Sequence, residues 1–348
     1  MSYTNGLDNP ELYFQCKIYT GTGSSHAITL DGDENMQPDF VWIKRRNSAG
    51  GHMLTDVIRG VTKTIITNET GAEQTFTNGL TAFGSDGFTV GSESGFNNSS
   101  DTFVAWNWKA GTAWSNDASA TGVGSLDSSG SKSATAGFSI ISFTGTESGT
   151  PSIAHGLSST PEFIISKARA ITDNWMAFHG SFSAQDYMLF NTTAAKASAS
   201  SVWNSLPSST VINMGDNAGV NDDGAMIMYA WHSVQGFSKF GSYTGNANAD
   251  GNFIYTGFKP AFILFKGSAN TENWSMYDNK RLGYNVDNNV LYPNDNSAEG
   301  TSDDIDFLSN GFKIRRQTGL LNDAQNYIYM AFAESPFVNS NGVPTNAR

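Results

Sequence analysis

Short runs of apolar and aromatic residues alternate with turn-forming residues along the whole chain. In the first hundred residues, glycines mark turns at 21–23, 50–51, 71 and 84–87. A helix-like stretch at 194–199 is short and rich in serine, so helix signals are few. Short apolar runs bounded by glycine-containing turns are typical of strands in antiparallel sheets. The pattern therefore predicts a nearly all-β protein.

One strand pattern occurs three times, with a proline, an aromatic residue two positions later, an aliphatic centre and a closing lysine. The copies are Pro38-Asp39-Phe40-Val41-Trp42-Ile43-Lys44, Pro161-Glu162-Phe163-Ile164-Ile165-Ser166-Lys167 and Pro260-Ala261-Phe262-Ile263-Leu264-Phe265-Lys266. The closing lysines follow one another at intervals of 123 and then 99 residues. Intervals near 100 residues are the length of whole domains rather than of solenoid repeats.

The flanks of this pattern repeat in the same order. Upstream lies an aromatic strand that ends in Thr-Gly, and downstream lies an element containing methionine. A Gly-Phe strand follows in the first and third copies, with 209–213 as the degenerate counterpart in the second. Each copy closes on an aromatic strand built around an alanine, namely Ala105, Ala230 and Ala331. Four or five landmarks in a fixed order predict a tandem array of one β module.

The predicted fold is therefore all-β, with three tandem antiparallel β-sandwich modules of the jelly-roll or concanavalin-like type. A closed barrel in each module is the alternative. The predicted boundaries are an N-terminal arm at 1–11, modules at 12–110, 137–235 and 236–337, a linker or surface strap at 111–136 and a tail at 338–348. The linker is predicted from its Gly, Ser, Ala and Thr composition.

Composition narrows the classes of partner. Charged residues make up 15% of the chain, below the roughly 25% of ordinary soluble proteins, and the net charge is −12. Nucleic acid is not expected as a partner, because binding it requires a basic surface. A single cysteine, Cys16, cannot form an intramolecular disulfide. No apolar run is long enough for a membrane span, and residues 1–6 do not resemble a signal peptide.

The sequence lacks the spacing patterns that catalytic and metal-binding sites require. The five histidines lack the short spacing of zinc ligands, and nucleophile and phosphate-loop motifs are missing. The acidic stretch 31–35 opens like a calcium loop, but Met36 and Trp42 occupy its glycine and glutamate positions. The acidic stretches 216–224 and 303–306 are interpreted as turns. We therefore expect no enzymatic activity, no cofactor and no metal.

The recurring Lys44, Lys167 and Lys266 allow two interpretations. Each ends an apolar strand, so its ammonium group is expected to reach out to solvent at the edge of the strand. The alternative is a repeated contact with a partner.

A cluster of cations occurs only in the first copy and consists of Lys44, Arg45, Arg46, Arg59 and Lys63. In an acidic chain it is a candidate docking surface for a partner, and a local network of salt bridges is the alternative. Trp106, Trp108 and Trp114 form a second candidate set. Trp106 and Trp108 share one face of a strand, which fits core or interface packing or a platform that stacks on sugars.

A dense set of characteristic positions lies within residues 12–111, namely 14–21, 38–44, His52 with Asp56, Val57 and 59–63, 86–88 and 101–111. At these positions the chain resembles a domain that recurs in virion-associated proteins of marine tailed phages. Beyond residue 111 the resemblance extends only to the landmarks. Members look like concanavalin-like or related β-sandwich modules of tail fibres and other external appendages. The resemblance carries no catalytic residues.

The resemblance implies a non-enzymatic virion structural protein, made in the host cytoplasm and placed on the particle exterior. The leading expectation is a tail fibre or tail appendage that contacts a host surface glycan or protein. Its expected partners are other virion proteins and further copies of itself, with a trimer favoured. One alternative is a capsid decoration or head-fibre protein anchored by residues 1–11, and a second is a glycan-active depolymerase.

Overall fold

A computed structural model describes Thr4 and residues 7–282, 285–286 and 288–345. Strands hold 43% of the residues and helices 4%, and the strands build antiparallel sheets. The prediction of an all-β sandwich fold is therefore confirmed. Among the described residues, no helix is long and apolar enough to cross a membrane.

The first segment, residues 12–110, forms two sheets behind a short 3₁₀ helix at Pro10–Leu12. Its strands are β1 (Phe14–Thr20), β2 (His26–Thr29), β3 (Phe40–Arg45), β4 (His52–Asp56), β5 (Lys63–Ile66), β6 (Gln74–Thr75), β7 (Leu80–Gly84), β8 (Gly87–Val90) and β9 (Thr102–Trp108), with helix α1 (Ser94–Asn97) before β9. The larger sheet has the order β1-β9-β3-β4-β5-β6, and the smaller sheet has the order β2-β8-β7.

The second segment, residues 111–235, forms an eight-stranded and a two-stranded sheet. Its strands are β10 (Thr112–Asn116), β11 (Ser128–Ser133), β12 (Phe138–Thr144), β13 (Ser152–Ala154), β14 (Phe163–Ala168), β15 (Met176–His179), β16 (Asp186–Leu189), β17 (Ala197–Ser198), β18 (Val211–Asn213) and β19 (Ala225–Trp231), with helices α2 (Ala118–Thr121) and α3 (Ala218–Asn221). The orders are β10-β11-β12-β19-β14-β15-β16-β17 and β13-β18.

The third segment, residues 236–337, forms sheets of four, three and two strands. Its strands are β20 (Ser238–Thr244), β21 (Phe253–Tyr255), β22 (Phe258–Gly267), β23 (Ser275–Asp278), β24 (Asn288–Val290), β25 (Gly300–Ser302), β26 (Ile305–Leu308), β27 (Gly311–Ile314) and β28 (Asn326–Pro336). The orders are β20-β28-β22-β23, β21-β27-β26 and β24-β25.

The same four-strand order occurs in each segment, as β1-β9-β3-β4, β12-β19-β14-β15 and β20-β28-β22-β23. The recurring strand pattern is β3, β14 and β22, whose first aromatic residues lie opposite Trp108, Trp231 and Phe332. This register changes the alignment of one landmark, the alanine of the closing strand. Ala230 and Ala331 lie one residue before Trp231 and Phe332, whereas Ala105 lies three residues before Trp108. The alignment of Ala105 with the other two alanines is therefore wrong by two positions.

The recurring strands are apolar on both faces because both faces are buried. Val41 and Ile43 belong to a core within the first segment, between its two sheets. Phe40 and Trp42 point the other way and belong to a larger cluster that contains residues from all three segments. In β22, Phe262 and Leu264 join the same shared cluster. The segments are thus packed around one core, and their number as separate modules stays a prediction.

Residues 111–136 do not form the predicted linker. β10 and β11 pair with each other, and β11 pairs with β12, so this stretch adds two strands to the second sheet. Serine and glycine are compatible with this role, because the pairing uses backbone groups that every residue carries.

The predicted arm and tail pack against the rest of the fold and against each other. Leu7 is buried in the shared cluster, and the Asp8 carboxylate accepts a hydrogen bond of 2.8 Å from the Ser340 backbone nitrogen. Val338 is also buried. Residues 7–11 therefore form part of the folded unit.

Candidate functional site

The three recurring lysines are buried, which corrects the expectation that they reach solvent. Lys44, Lys167 and Lys266 are each 0% exposed. Each ammonium group donates to one carbonyl of its own segment and one of a neighbouring segment. The neighbouring acceptors are Asn296 for Lys44 at 3.3 Å, Thr70 for Lys167 at 3.1 Å and Thr193 for Lys266 at 3.2 Å. Burial lowers the pKa of each lysine to about 8.

These contacts are cyclic. The first segment reaches the third, the second reaches the first, and the third reaches the second, each through the same lysine position. Three equivalent head-to-tail contacts close a ring when the rotation between neighbours is about a third of a turn. One chain therefore builds a ring of three related segments. The interface between each two neighbouring segments is called a seam, so the ring has three seams.

Two seams contain a buried ion pair. At the first, the Asp56 carboxylate pairs with Arg59 and also accepts a 2.6 Å hydrogen bond from the Tyr229 hydroxyl of the second segment. At the second, Asp278 pairs with Arg281 at 2.7 Å and accepts a 3.0 Å bond from Trp106 Nε1 of the first segment. The side chains of both pairs are 0% exposed.

At each of these two seams, a second carboxylate contacts both the buried arginine and an arginine of the neighbouring segment. Glu73 lies 3.0 Å from Arg169 of the second segment and 3.5 Å from Arg59. Glu299 lies 2.8 Å from Arg46 of the first segment and 3.3 Å from Arg281.

At the third seam, uncharged groups take the place of the buried ion pair. His179 and Phe182 occupy the positions of the aspartate and the arginine, and both are buried. Met330 lies at the position of Tyr229 and Trp106, where it carries no polar donor. The His179 Nε2 atom lies 3.4 Å from the Tyr329 carbonyl of the third segment, so this nitrogen carries the proton.

The five residues of the predicted cationic docking surface do not form one exposed patch. Each of them contacts other groups within its own segment or in a neighbouring segment. Lys44 and Arg59 are buried, and Arg46 binds Glu299. Arg45 lies 3.3 Å from Asp101, and Lys63 donates to the Thr75 hydroxyl at 2.7 Å. The three arginines form salt bridges, as the alternative interpretation expects. Those of Arg45 and Arg59 are local, and that of Arg46 reaches the third segment.

The predicted tryptophan platform lies mainly in the core. Trp106 is 0% and Trp108 is 2% exposed, so neither can present a face to a sugar. Core and interface packing is the correct alternative for both, since Trp106 reaches Asp278 across a seam. Trp114 is half-buried on the edge strand β10 and packs over Gly156.

A buried asparagine is a recurring residue that sequence reasoning missed. Asn97, Asn221 and Asn322 each accept through Oδ1 from a backbone nitrogen of the loop after the Thr-Gly strand, at 2.8, 2.9 and 3.0 Å. The signal in the sequence is an apolar residue followed by Asn and then Asn or Asp, shortly before the closing strand. These side chains hold equivalent loops in the three segments. Asn221 lies within the acidic stretch 216–224, which the sequence pattern indicates only as turns.

A groove of about 770 Å³ crosses one end of the strands β10, β11, β12 and β19 in the second sheet. Its carboxylates have structural roles, because Asp117 accepts from Ala120 N and Asp127 accepts from Ala118 N at helix α2. Among the described residues, no group of three or more His, Cys, Asp and Glu side chains is arranged to hold a metal ion.

Buried histidines make the ring sensitive to acid. Burial lowers the pKa of His155 and His179 to about 4, and that of His52 well below its usual value. In the unfolded chain these groups titrate near ~6.5, so the unfolded state binds more protons between these values and stability falls as the pH drops from about 6.5 towards 4. We expect a loss of up to about 3 kcal/mol in the free energy of unfolding for each of His155 and His179.

Urea unfolding followed at pH 7.5, 6.0, 5.0 and 4.5 measures this loss. The variant His179→Gln should show a shallower dependence on pH, whereas Leu206→Ala, at an exposed position without a titratable group, should keep the dependence of the unchanged protein. Equal unfolding free energies at pH 7.5 and 4.5 would contradict the assignment.

The fold and its seams define an all-β sandwich protein in which one chain closes a ring around a shared core. The model of one family, described as Domain of unknown function (DUF7483), matches residues 9–336, and the chain belongs to this family. No curated protein and no solved structure matches the chain.

Proposed function

We propose that the protein is a non-enzymatic structural component on the exterior of a tailed-phage particle, and most specifically a tail fibre or tail appendage that contacts the host. The resemblance of residues 12–111 to virion-associated domains supports this proposal. The observation that carries it is the closed ring, because one chain supplies the threefold arrangement of related segments that a fibre is expected to obtain from three copies of the chain.

The placement of the ionisable groups fits a structural role. Asp56, Arg59, Asp278 and Arg281 are buried at seams, where they join segments. The recurring lysines do the same through backbone carbonyls. The chain therefore uses its buried charges to hold its own parts together.

Labelling of intact particles tests the proposal. The loop 146–150 is exposed, and among the described residues no atom lies within 4 Å of a Cβ added at Gly149, so this loop is suited to an inserted epitope. Phage carrying the epitope after Gly149 are treated with gold-labelled antibody and imaged by electron microscopy, with phage lacking the epitope as the control. Gold at the tail is the expected result.

Gold confined to the head would replace the tail proposal with the capsid-decoration alternative. Unlabelled particles, in a lysate where the tagged protein is present and folded, would overturn the virion proposal. The depolymerase alternative predicts a shortening of host polysaccharide on incubation with purified protein, and we expect unchanged chain length.

A further inference from the structure

The outer sheet of the third segment carries two exposed aromatic side chains. Residues alternate between the two faces of a strand, and Ile254 of β21 faces the core. Its neighbours Phe253 and Tyr255 therefore face outward, and they are 47% and 43% exposed. β21 lies at the edge of the sheet β21-β27-β26, so the pair stands beside an open strand edge.

The strand register places polar and small residues beside this pair. Phe253 lies opposite Lys313, which lies opposite Asp306. Tyr255 lies opposite Gly311, which lies opposite Leu308. A Cβ atom at Gly311 would be 2.0 Å from the Ile254 carbonyl oxygen, so only glycine fits there. The Phe253 ring lies over Gly311, 3.2 Å from the position of an added Cβ, and charged residues flank Phe253 across the sheet.

The other two segments show that the fold does not require this aromatic pair. In the first segment, Ile28 pairs with Phe88 as Ile254 pairs with Phe312, and the residues that flank Ile28 are Ala27 and Thr29. In the second segment, the corresponding residues flank Ile153 and are serine and alanine. Exposed aromatic residues on a strand edge favour unwanted association, so their presence in one segment alone indicates a binding role.

A cation borders the aromatic pair. The Lys239 ammonium lies 5.7 Å from the centre of the Tyr255 ring and donates to the Tyr255 carbonyl at 2.7 Å. Within the described part of the chain, Lys239 takes part in no ion pair, whereas Lys313 pairs with Asp250 at 2.7 Å. The charge of Lys239 is therefore available to an anionic ligand.

We propose that Phe253, Tyr255 and Lys239 form a binding site for an extended saccharide that carries carboxylate groups. The apolar faces of sugar rings pack on the two aromatic side chains, whose backbone positions lie about 7 Å apart along the strand. The Lys239 ammonium binds the carboxylate by a charge-assisted hydrogen bond. Two rings amid charged side chains are too small a surface for a stable protein interface, which needs about 1,000 Å².

This inference names the class of host ligand and in that respect rests on the proposed function. The test is electrophoresis of the purified full chain through native gels that contain alginate, polygalacturonate, neutral dextran or no polysaccharide. The site variant is Phe253→Ala with Tyr255→Thr, which installs the residues of the first segment. Leu206→Ala is the matched control, because Leu206 is 48% exposed and lies in the second segment.

Both uronate polymers, or one of them, should retard the unchanged protein and the Leu206→Ala control. The double variant should bind about tenfold more weakly, with an unchanged melting temperature because both replaced side chains are largely exposed. Lys239→Ala should weaken binding to uronates.

Three results would each overturn the saccharide site. They are equal retardation of the unchanged protein and the double variant, stronger retardation by dextran than by both uronates, and no retardation by either uronate. None of these outcomes depends on the particle. Conversely, unlabelled particles in the epitope experiment would remove the phage role and leave measured saccharide binding intact.

Discussion

Replacing Asp278 with alanine lowers the free energy of unfolding by about 3 kcal/mol, because it leaves a buried cation without its nearest counterion. The Arg281 side chain is 0% exposed and donates to Asp278 Oδ2 at 2.7 Å. The same carboxylate oxygen accepts from Trp106 Nε1, so the substitution also leaves a buried indole N–H unpaired. Arg281 retains longer contacts of 3.3 Å to Glu299 and 3.4 Å to the Met276 carbonyl.

Urea unfolding monitored by tryptophan fluorescence measures this effect. Asp33→Ala, at an exposed position, is the matched control and should change the free energy by less than about 0.5 kcal/mol. The chain supplies a second comparison, because the third seam has His179 and Phe182 at the equivalent positions. The double variant Asp278→His with Arg281→Phe removes both charges and should lose less stability than Asp278→Ala. A loss below about 1 kcal/mol for Asp278→Ala would contradict the role of this pair.

Replacing Trp108 with alanine removes about 3–5 kcal/mol of stability and weakens the whole ring at once. The Trp108 ring lies 4.7 Å from Phe14 and 5.1 Å from Phe40 in its own segment. It also lies 6.4 Å from Trp231 of the second segment and 5.8 Å from Phe262 of the third. The resulting cavity would lie where all three segments meet, so unfolding should remain one transition with a lower midpoint.

Differential scanning calorimetry distinguishes a shared core from independent modules. Trp114→Ala is the matched control, since this half-buried tryptophan lies on edge strand β10 and its loss should cost less than half as much. Independent unfolding of the segments would instead give separate transitions. Trp108→Ala would then shift only the transition that belongs to residues 12–110.

The strands and their recurrence could be predicted because short-range patterns specify them. A run such as 40–43 is apolar throughout, and the sequence shows that such a strand is buried on both sides. The role of Lys44 could not be predicted, since its acceptor at Asn296 lies 252 positions away. A lysine at the end of a buried strand has the same local sequence whether it reaches water or a carbonyl of another segment.

The seams could be recognised only in part. Asp56 with Arg59 and Asp278 with Arg281 share a spacing of three residues that is visible in the sequence. Nothing local shows that Tyr229 and Trp106 supply the third member of each group. The strands β10 and β11 were missed for a related reason, because a polar strand that adds to a sheet edge through backbone pairing leaves little hydrophobic pattern.

The closed ring has a consequence for valency. A ring assembled from three identical chains would repeat every surface feature three times, whereas this ring is encoded by one chain whose segments differ. The pair Phe253 and Tyr255 therefore occurs once per ring, and a single ring would engage the proposed saccharide at one point. Avidity for a surface then depends on how many rings are displayed together and on their separation, not on the threefold arrangement within each ring.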